Sequence, residues 1–391
     1  MLERHATLAQ RLALPVSVAA AIIASAPWVP LLRDGFFSLF PRHAVGILIG
    51  MLLLILVAAL ATAIARMRTH LLLRMAGLLM VLLAVWLQAV GLSQHLPANI
   101  ALTVSAVERI HIFEYGTLAL LLVRALRPVG WAGAASLASL WAALVGVLDE
   151  TVQMIVPGRT GELRDIAIDV AAGVTGACFA LCLESPAVVR ERGATRTGPR
   201  LLASWWPIAT RSAAILILAG GLFVSFAHLG YRIDDPAVGR FLSWHTADQL
   251  HALAAERAMR WRGPDPPTGR ELCCIQDVFL TEASRHNTYR NERFRSGDRL
   301  AAWHADNLLR TYFAPYLDKP LPPDGRRPRD EIDRAALEQA GRGHDPGDFD
   351  SPVLRGRIWT RPSKKLWLTV TLLLFAWLWA LPALARRRHP R

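Results

Sequence analysis

Seven carboxylates fall within 62 residues of a chain that is otherwise basic and apolar. They are Glu108, Glu114, Asp149, Glu150, Glu162, Asp165 and Asp169, and His111, Tyr115, Gln153 and Arg159 lie among them. All sit at the ends of three apolar segments. Outside this stretch and the polar block 230–363, only Glu3, Asp34, Glu184 and Glu191 are acidic. Charge beside hydrocarbon is costly unless it is paired or hydrogen-bonded, so this concentration marks a site. Arg159 can grip a phosphate through two parallel N–H···O bonds, assisted by Arg109 or Arg164. Glu150 or Asp165 can serve as base, and His111 as acid or proton shuttle. Gln153, Glu114, Tyr115 and Asp169 are the remaining candidate substrate-binding groups.

The spacing assigns these residues to helix ends. His111 and Tyr115 are four apart and share a face, and Glu108 and Glu114 are each three from His111. Glu150 and Gln153 share the end of the next helix, which Pro157 and Gly158 break, leaving Arg159 in the turn. Asp165 is expected at an N-cap, with Asp169 one turn further on the same face. Ala172, Gly173, Gly176 and Ala177 give that helix a small-residue surface for close packing.

These helices belong to a membrane protein. Of the 391 residues, 53% are hydrophobic. Apolar runs at 12–32, 44–65, 72–92, 110–126, 131–148, 166–183, 212–229 and 366–385 are each read as a span. The expected fold is all-α and polytopic, with about eight transmembrane helices and a small, mainly helical domain inserted before the last span. The net charge of +13 is not a nucleic-acid footprint. Block 230–363 holds 21 Lys and Arg against 20 Asp and Glu, so the excess lies in the membrane part. Arginine clusters at 66–74, 124–127, 190–211 and 386–391 fall on one side if the N-terminus, with Arg4 and Arg11, is cytoplasmic. The expected location is the inner (cytoplasmic) membrane, with both termini cytoplasmic. The acidic helix ends and block 230–363 then face outward.

The organisation follows. Residues 1–106 carry the first three spans, 107–184 the acidic core, and 185–211 an Arg-rich cytoplasmic loop. Span seven is 212–229, the extracytoplasmic domain 230–363, and span eight with its basic tail 364–391. Arg4, Arg11 and Ala24–Ser25–Ala26 resemble a signal peptide, but the spans that follow at once favour an uncleaved anchor. Within the domain, Val278–Tyr289 and Arg299–Tyr316 read as amphipathic helices, and Lys319–Pro352 has the Pro/Gly-rich composition of loops. Glu282 and His286 share a helix face, either as a surface pair or as half of a metal site. Cys178 and Cys182 are expected to pack between helices; Cys273 and Cys274 are adjacent, where a disulfide would need strained geometry.

The core resembles the VanZ-like family of membrane proteins, over about 40–185 and most strongly over 108–176. The family pattern of His followed by Glu and Tyr, then Glu-x-x-Gln, Pro-x-Arg and Asp-x-x-x-Asn/Asp-x-x-Gly, falls here on particular residues. They are His111, Glu114, Tyr115, Glu150, Gln153, Pro157, Arg159, Asp165, Asp169 and Gly173. Asp169 stands where the family often has Asn. The resemblance implies membrane location and a link to the cell envelope, of the glycopeptide-antibiotic-response type, but no particular reaction. The C-terminal domain lies outside it.

Two main readings stay open. One is a binding or catalytic site for an anionic envelope lipid or lipid-linked glycan presented at the outer leaflet. The other is a structural network in which the charges only fix helix packing and support the extracytoplasmic domain. A metal variant would use His111, Glu114, Glu150, Asp165 and Asp169, but no spacing is diagnostic, so neither metal nor cofactor is expected. Transport is disfavoured because the span centres carry no charge. The expected partners are the lipid or lipid-linked precursor and an envelope protein through 230–363, not nucleic acid.

Overall fold

The computed structural model describes residues 7–40, 98–156, 161–183, 205–260, 277–318 and 332–388, with isolated helical positions between 47 and 81. It falls into two compact units. One comprises Met1–Val152, Glu162–Gly220 and Thr371–Arg391, the other Gln153–Gly161 and Gly221–Val370. The first unit is helical. Its elements are α1 (Leu8–Ser25), α2 (Val29–Leu39), α3 (Ala98–Ala125), α4 (Trp131–Ile155), α5 (Leu163–Leu183) and α6 (Trp206–Ala227), of which α4 and α6 run on into the second unit.

Thr7 starts α1 with a capping box, its hydroxyl accepting from the Gln10 backbone while the Gln10 side chain accepts from the Thr7 N–H. The first expected span, 12–32, is broken: α1 stops at Ser25 and α2 begins at Val29 with Pro30 in its first turn. Pro27 has no N–H to continue the helix, and a proline fits where the first N–H groups would be unbonded anyway. The expected spans 44–65 and 72–92 lie outside the described residues apart from the isolated helical positions. Helix α3 begins twelve residues before the expected span 110–126, and α6 begins at Trp206 rather than 212.

Among the described residues, five helices are long and apolar enough to cross a membrane: Leu8–Ser25, Trp131–Ile155, Leu163–Leu183, Trp206–Ala227 and Lys364–Ala385. The protein is therefore a helical membrane protein. Helix α3 is not among the five, because its 28 residues include Glu108, Arg109, Glu114 and Arg124. Its second half is nevertheless packed into the core, with Tyr115, Leu118 and Ala119 at most 1% exposed.

Small residues let α3, α4 and α5 close on one another. The buried stripe of α5 runs Ile166, Asp169, Ala172, Gly173, Gly176, Ala177, Ala180, the periodicity of one helix face. A Cβ on Gly176 would lie 2.6 Å from the Cα of Gly116 on α3. One on Gly173 would lie 2.9 Å from the Ala142 Cβ on α4. In hydrocarbon there is no hydrophobic drive between helices, so close van der Waals approach supplies the attraction. Cys178 is exposed on α5, against expectation, whereas the Cys182 sulfur lies 2.9 Å from where a Gly77 Cβ would stand.

The second unit contains β1 (Tyr231–Asp235), β2 (Gly239–Ser243), α7 (Ala247–Arg260), α8 (Val278–Arg295), α9 (Arg299–Tyr312), α10 (Ala314–Asp318) and α11 (Arg334–Gly341). Helix α12 (Lys364–Arg388) follows and extends into the first unit. The two sequence-derived helices are present, the second split at Phe313. The antiparallel β1–β2 hairpin, pairing Tyr231 with Ser243 and Ile233 with Phe241, departs from the all-α expectation. Gly239, at φ +93°, lets its backbone meet Phe349 as the turn closes. Helix α11 lies in the stretch expected to be loop; Asp333 initiates it by accepting from the Ala335 and Ala336 N–H groups. Cys273 and Cys274 lie outside the described residues.

The two ends of the inserted domain are clasped. The Trp359 N–H donates to the His228 carbonyl at 2.6 Å, and the Gly230 N–H donates to the Trp359 carbonyl at 3.1 Å. The rings of His228 and Trp359 stack at 5.3 Å, and Trp367 Nε1 donates to the Gly221 carbonyl. The chain thus leaves α6 and enters α12 at one point.

The domain core is built on Phe241, Phe279, Leu280, Leu308, Leu309 and Phe313. Glu282 and His286 on α8 lie inside it, both 0% exposed, which excludes the surface-pair reading. Glu282 Oε2 accepts from the Ser243 hydroxyl and the Trp244 N–H. His286 stacks on Phe313 and meets Phe241 edge-on, at 5.8 and 6.0 Å. Neither of its ring nitrogens has a hydrogen-bond partner. Burial pushes Glu282 up to about 8 and His286 down to about 3, so both are neutral near pH 7.

The consequences for stability have opposite signs. Unfolding frees Glu282 to ionise, so its contribution is lost as pH rises from about 4.5 to about 8. Unfolding frees His286 to take up a proton, so stability is lost as pH falls from 6.5 towards about 3. Between 4.5 and 6.5 the two slopes oppose each other. Hydrogen exchange of the α8 amides in the whole protein should show a protection plateau at pH 4.5–6.5, after correction for intrinsic exchange. Protection should decline on either side by up to about 1 kcal/mol per pH unit. Glu282→Gln should remove the alkaline limb and, with the His286 slope then unopposed, make protection fall from pH 6.5 downward.

Candidate functional site

At one end of the α3–α4–α5 bundle, polar side chains converge from all three helices. His111 and Tyr115 project from the same face of α3, with rings stacked at 6.0 Å and 13°. Each ring is tied to a carboxylate on a different neighbour. His111 Nδ1 lies 3.0 Å from Asp169 Oδ1 on α5, and the Tyr115 hydroxyl donates to Asp149 Oδ2 on α4 at 3.1 Å. The i, i+4 spacing read from sequence thus links three helices. Tyr115 and Asp169 are fully buried; the His111 side chain keeps 20% exposure.

Glu150 is fully buried in the penultimate turn of α4, and its Oε2 accepts the Glu162 backbone N–H at 2.8 Å. The Glu162 carbonyl in turn receives the Asp165 and Ile166 N–H groups. Helix α5 therefore begins at Leu163, and Asp165 stands in its first turn rather than at the expected N-cap. Asp165 and Glu114 are half-buried. Asp165, Asp169 and Asp149 all lie within electrostatic reach of Glu150. Gln153, one turn beyond Glu150 on α4, is buried. Pro157 and Arg159 lie outside the described residues, as do the side chains of Glu108 and Arg109.

Two residues of this cluster escape sequence reasoning. Asp149 partners Tyr115, although residue type gives no reason to prefer it to Glu150 next door. Gly146 seats Asp169: a Cβ there would lie 2.8 Å from the Asp169 Cβ and 2.9 Å from Oδ2. Its one signal is spacing, since Gly146 and Glu150 are four apart on one helix.

The bonding is incomplete. Glu150 Oε1 and Asp169 Oδ2 are buried without a hydrogen-bond partner. Each such oxygen costs about 1–3 kcal/mol unless it takes a donor. Buried carboxylate oxygens take donors: hydroxyl, amine or water. Among the described residues no group of three or more His, Cys, Asp or Glu is arranged to hold a metal ion.

Fold and cluster together define a polytopic helical membrane protein with a polar site where the middle of α3 meets the end of α4 and the start of α5. Residues 45–184 match the VanZ/LLP1 family model, so this part of the chain is a VanZ/LLP1 domain, and the C-terminal domain lies outside the match. No curated protein and no solved structure matches the chain.

Proposed function

We propose that the VanZ/LLP1 domain recognises an anionic cell-envelope lipid or lipid-linked glycan at the extracytoplasmic face of the inner membrane, with both termini cytoplasmic. The observation that supports this most is the pair of unbonded, fully buried carboxylate oxygens at Glu150 and Asp169. They suit the hydroxyls of a sugar or polyol headgroup. Arg159, between α4 and α5 in the sequence, supplies the cation for the phosphate, and Gln153, Glu114 and Asp165 are further polar contacts. The side assignment rests on the arginine clusters. The inserted domain, held at one point between α6 and α12, is the surface offered to an envelope protein partner.

Phosphatidylglycerol carries both a phosphate and headgroup hydroxyls, and serves as the probe against phosphatidylcholine. In detergent, the protein should retain phosphatidylglycerol preferentially. Arg159→Ala should weaken retention about 10- to 100-fold, the loss of a charge-assisted bidentate contact worth about 1.5–3 kcal/mol. Glu150→Gln keeps the shape and should cost much less. Equal retention of both lipids by wild type and Arg159→Ala would favour the structural network instead.

A further inference from the structure

The His111–Asp169 contact has a direction that the rest of the cluster lacks. Asp169 is fully buried, and its carboxylate rests where Gly146 leaves no Cβ, so it is clamped between α4 and α5. His111 on α3 is the outer member, with 20% of its side chain still exposed. The ring is further fixed by stacking on Tyr115, whose hydroxyl is itself anchored to Asp149. Of the two ring nitrogens, Nδ1 is the one that faces Asp169, at 3.0 Å. A carboxylate can only accept, so it holds the proton on Nδ1 and leaves the lone pair on Nε2.

We propose that Asp169, seated on Gly146, is a positioning residue that fixes His111 as the Nδ1–H tautomer and presents Nε2 as the hydrogen-bond acceptor for a hydroxyl of the bound headgroup. This deepens the binding reading above and rests on it. The headgroup hydroxyl keeps its proton and donates it in a hydrogen bond to the Nε2 lone pair, while Nδ1–H donates to the Asp169 carboxylate. The arrangement orients the neutral imidazole and leaves one nitrogen for the ligand, as a buried carboxylate does for histidines elsewhere. An amide at 169 could accept the same hydrogen bond.

The test is nitrogen NMR of the full-length protein labelled with 15N-histidine, with His111 assigned by its loss in His111→Gln. Protonated and unprotonated imidazole nitrogens resonate far apart, so the tautomer is read directly. At a pH high enough for the ring to be neutral, the wild type should show protonated Nδ1 and unprotonated Nε2. Asp169→Asn, which keeps a carbonyl acceptor, should retain this tautomer. Asp169→Ala should shift it towards Nε2–H, and Gly146→Ala, which displaces the carboxylate, should shift it in the same direction. A wild-type His111 already in the Nε2–H form, or an unchanged tautomer in Asp169→Ala, would overturn the proposal. A merely structural hydrogen bond would move melting temperature and tautomer together and leave phosphatidylglycerol retention by Asp169→Ala unchanged. Phosphatidylglycerol retention, measured on the same samples with Arg159→Ala alongside, keeps the two readings apart. Absence of lipid selectivity in the wild type tells against the binding site, whereas the tautomer reports on the dyad alone.

Discussion

Gly176→Ala should be among the most damaging single-methyl substitutions in the membrane part, and Gly116→Ala, directly opposite it, close to neutral. The two glycines face each other across α3 and α5. A Cβ on Gly176 would stand 2.6 Å from Gly116 Cα and 2.7 Å from its carbonyl carbon, with the carbonyl oxygen nearer still. One on Gly116 would meet only the Ala172 carbonyl oxygen, at 3.7 Å, an ordinary contact. The obstacle to Gly176→Ala is backbone, which cannot rotate aside as a side chain does. The cost should therefore reach or exceed the upper end of the about 1–3 kcal/mol typical of overpacking. Because α3 carries His111 and α5 carries Asp169, prising these helices apart should also abolish selective lipid retention. Thermal melting of both variants in detergent checks this. A Gly176→Ala protein as stable as Gly116→Ala would mean that the helices are not in this register.

The second large effect is expected in the inserted domain. Arg290 is 2% exposed, and its guanidinium bonds Asp306 at 2.6 Å and Asn287 at 2.6 Å, with Asn291 at 3.2–3.3 Å. Asp306 also accepts from Arg310, which is itself 45% exposed. Arg290→Met leaves a buried carboxylate with only a solvent-screened partner. Removing one member of a buried pair typically costs about 3–5 kcal/mol, and Arg310 should hold the loss near the lower figure. Amide protection along α8 and α9 should then fall about a hundredfold, at about 1.4 kcal/mol per tenfold. Adding Asp306→Leu should restore much of it, because a pair replaced as a whole leaves no buried charge behind. No recovery in the double variant would show that the network shapes the domain rather than merely satisfying a charge.

What was legible in the chain, and what was not, divides along physical lines. His111 and Tyr115 could be placed on one face from their spacing alone, and the α5 stripe from its small residues, because both depend only on helix periodicity. Which partner each residue meets depends on how helices cross, and periodicity is silent on that. Asp149 and Glu150 are neighbours of the same type, yet one takes the Tyr115 hydroxyl and the other the Glu162 N–H. The start of α5 was misplaced by two to three residues because Glu150, twelve residues earlier, fixes where the turn ends. Helix α11 was hidden by a Pro/Gly-rich composition, although Asp333 followed by Arg-Ala-Ala-Leu is a local start signal. The β1–β2 hairpin went unread because its strands are five residues each and its outward positions are charged.

On the proposed reading, the cluster on α3, α4 and α5 holds a phosphorylated envelope lipid rather than only the helices themselves. Native mass spectrometry of the detergent-purified protein, with lipid extraction, compares wild type and Arg159→Ala most directly. A specific phosphorylated lipid bound to the wild type and lost from an equally stable variant is the predicted result. Identical, nonspecific lipids on two equally stable proteins would contradict it and leave the cluster as a helix-packing network.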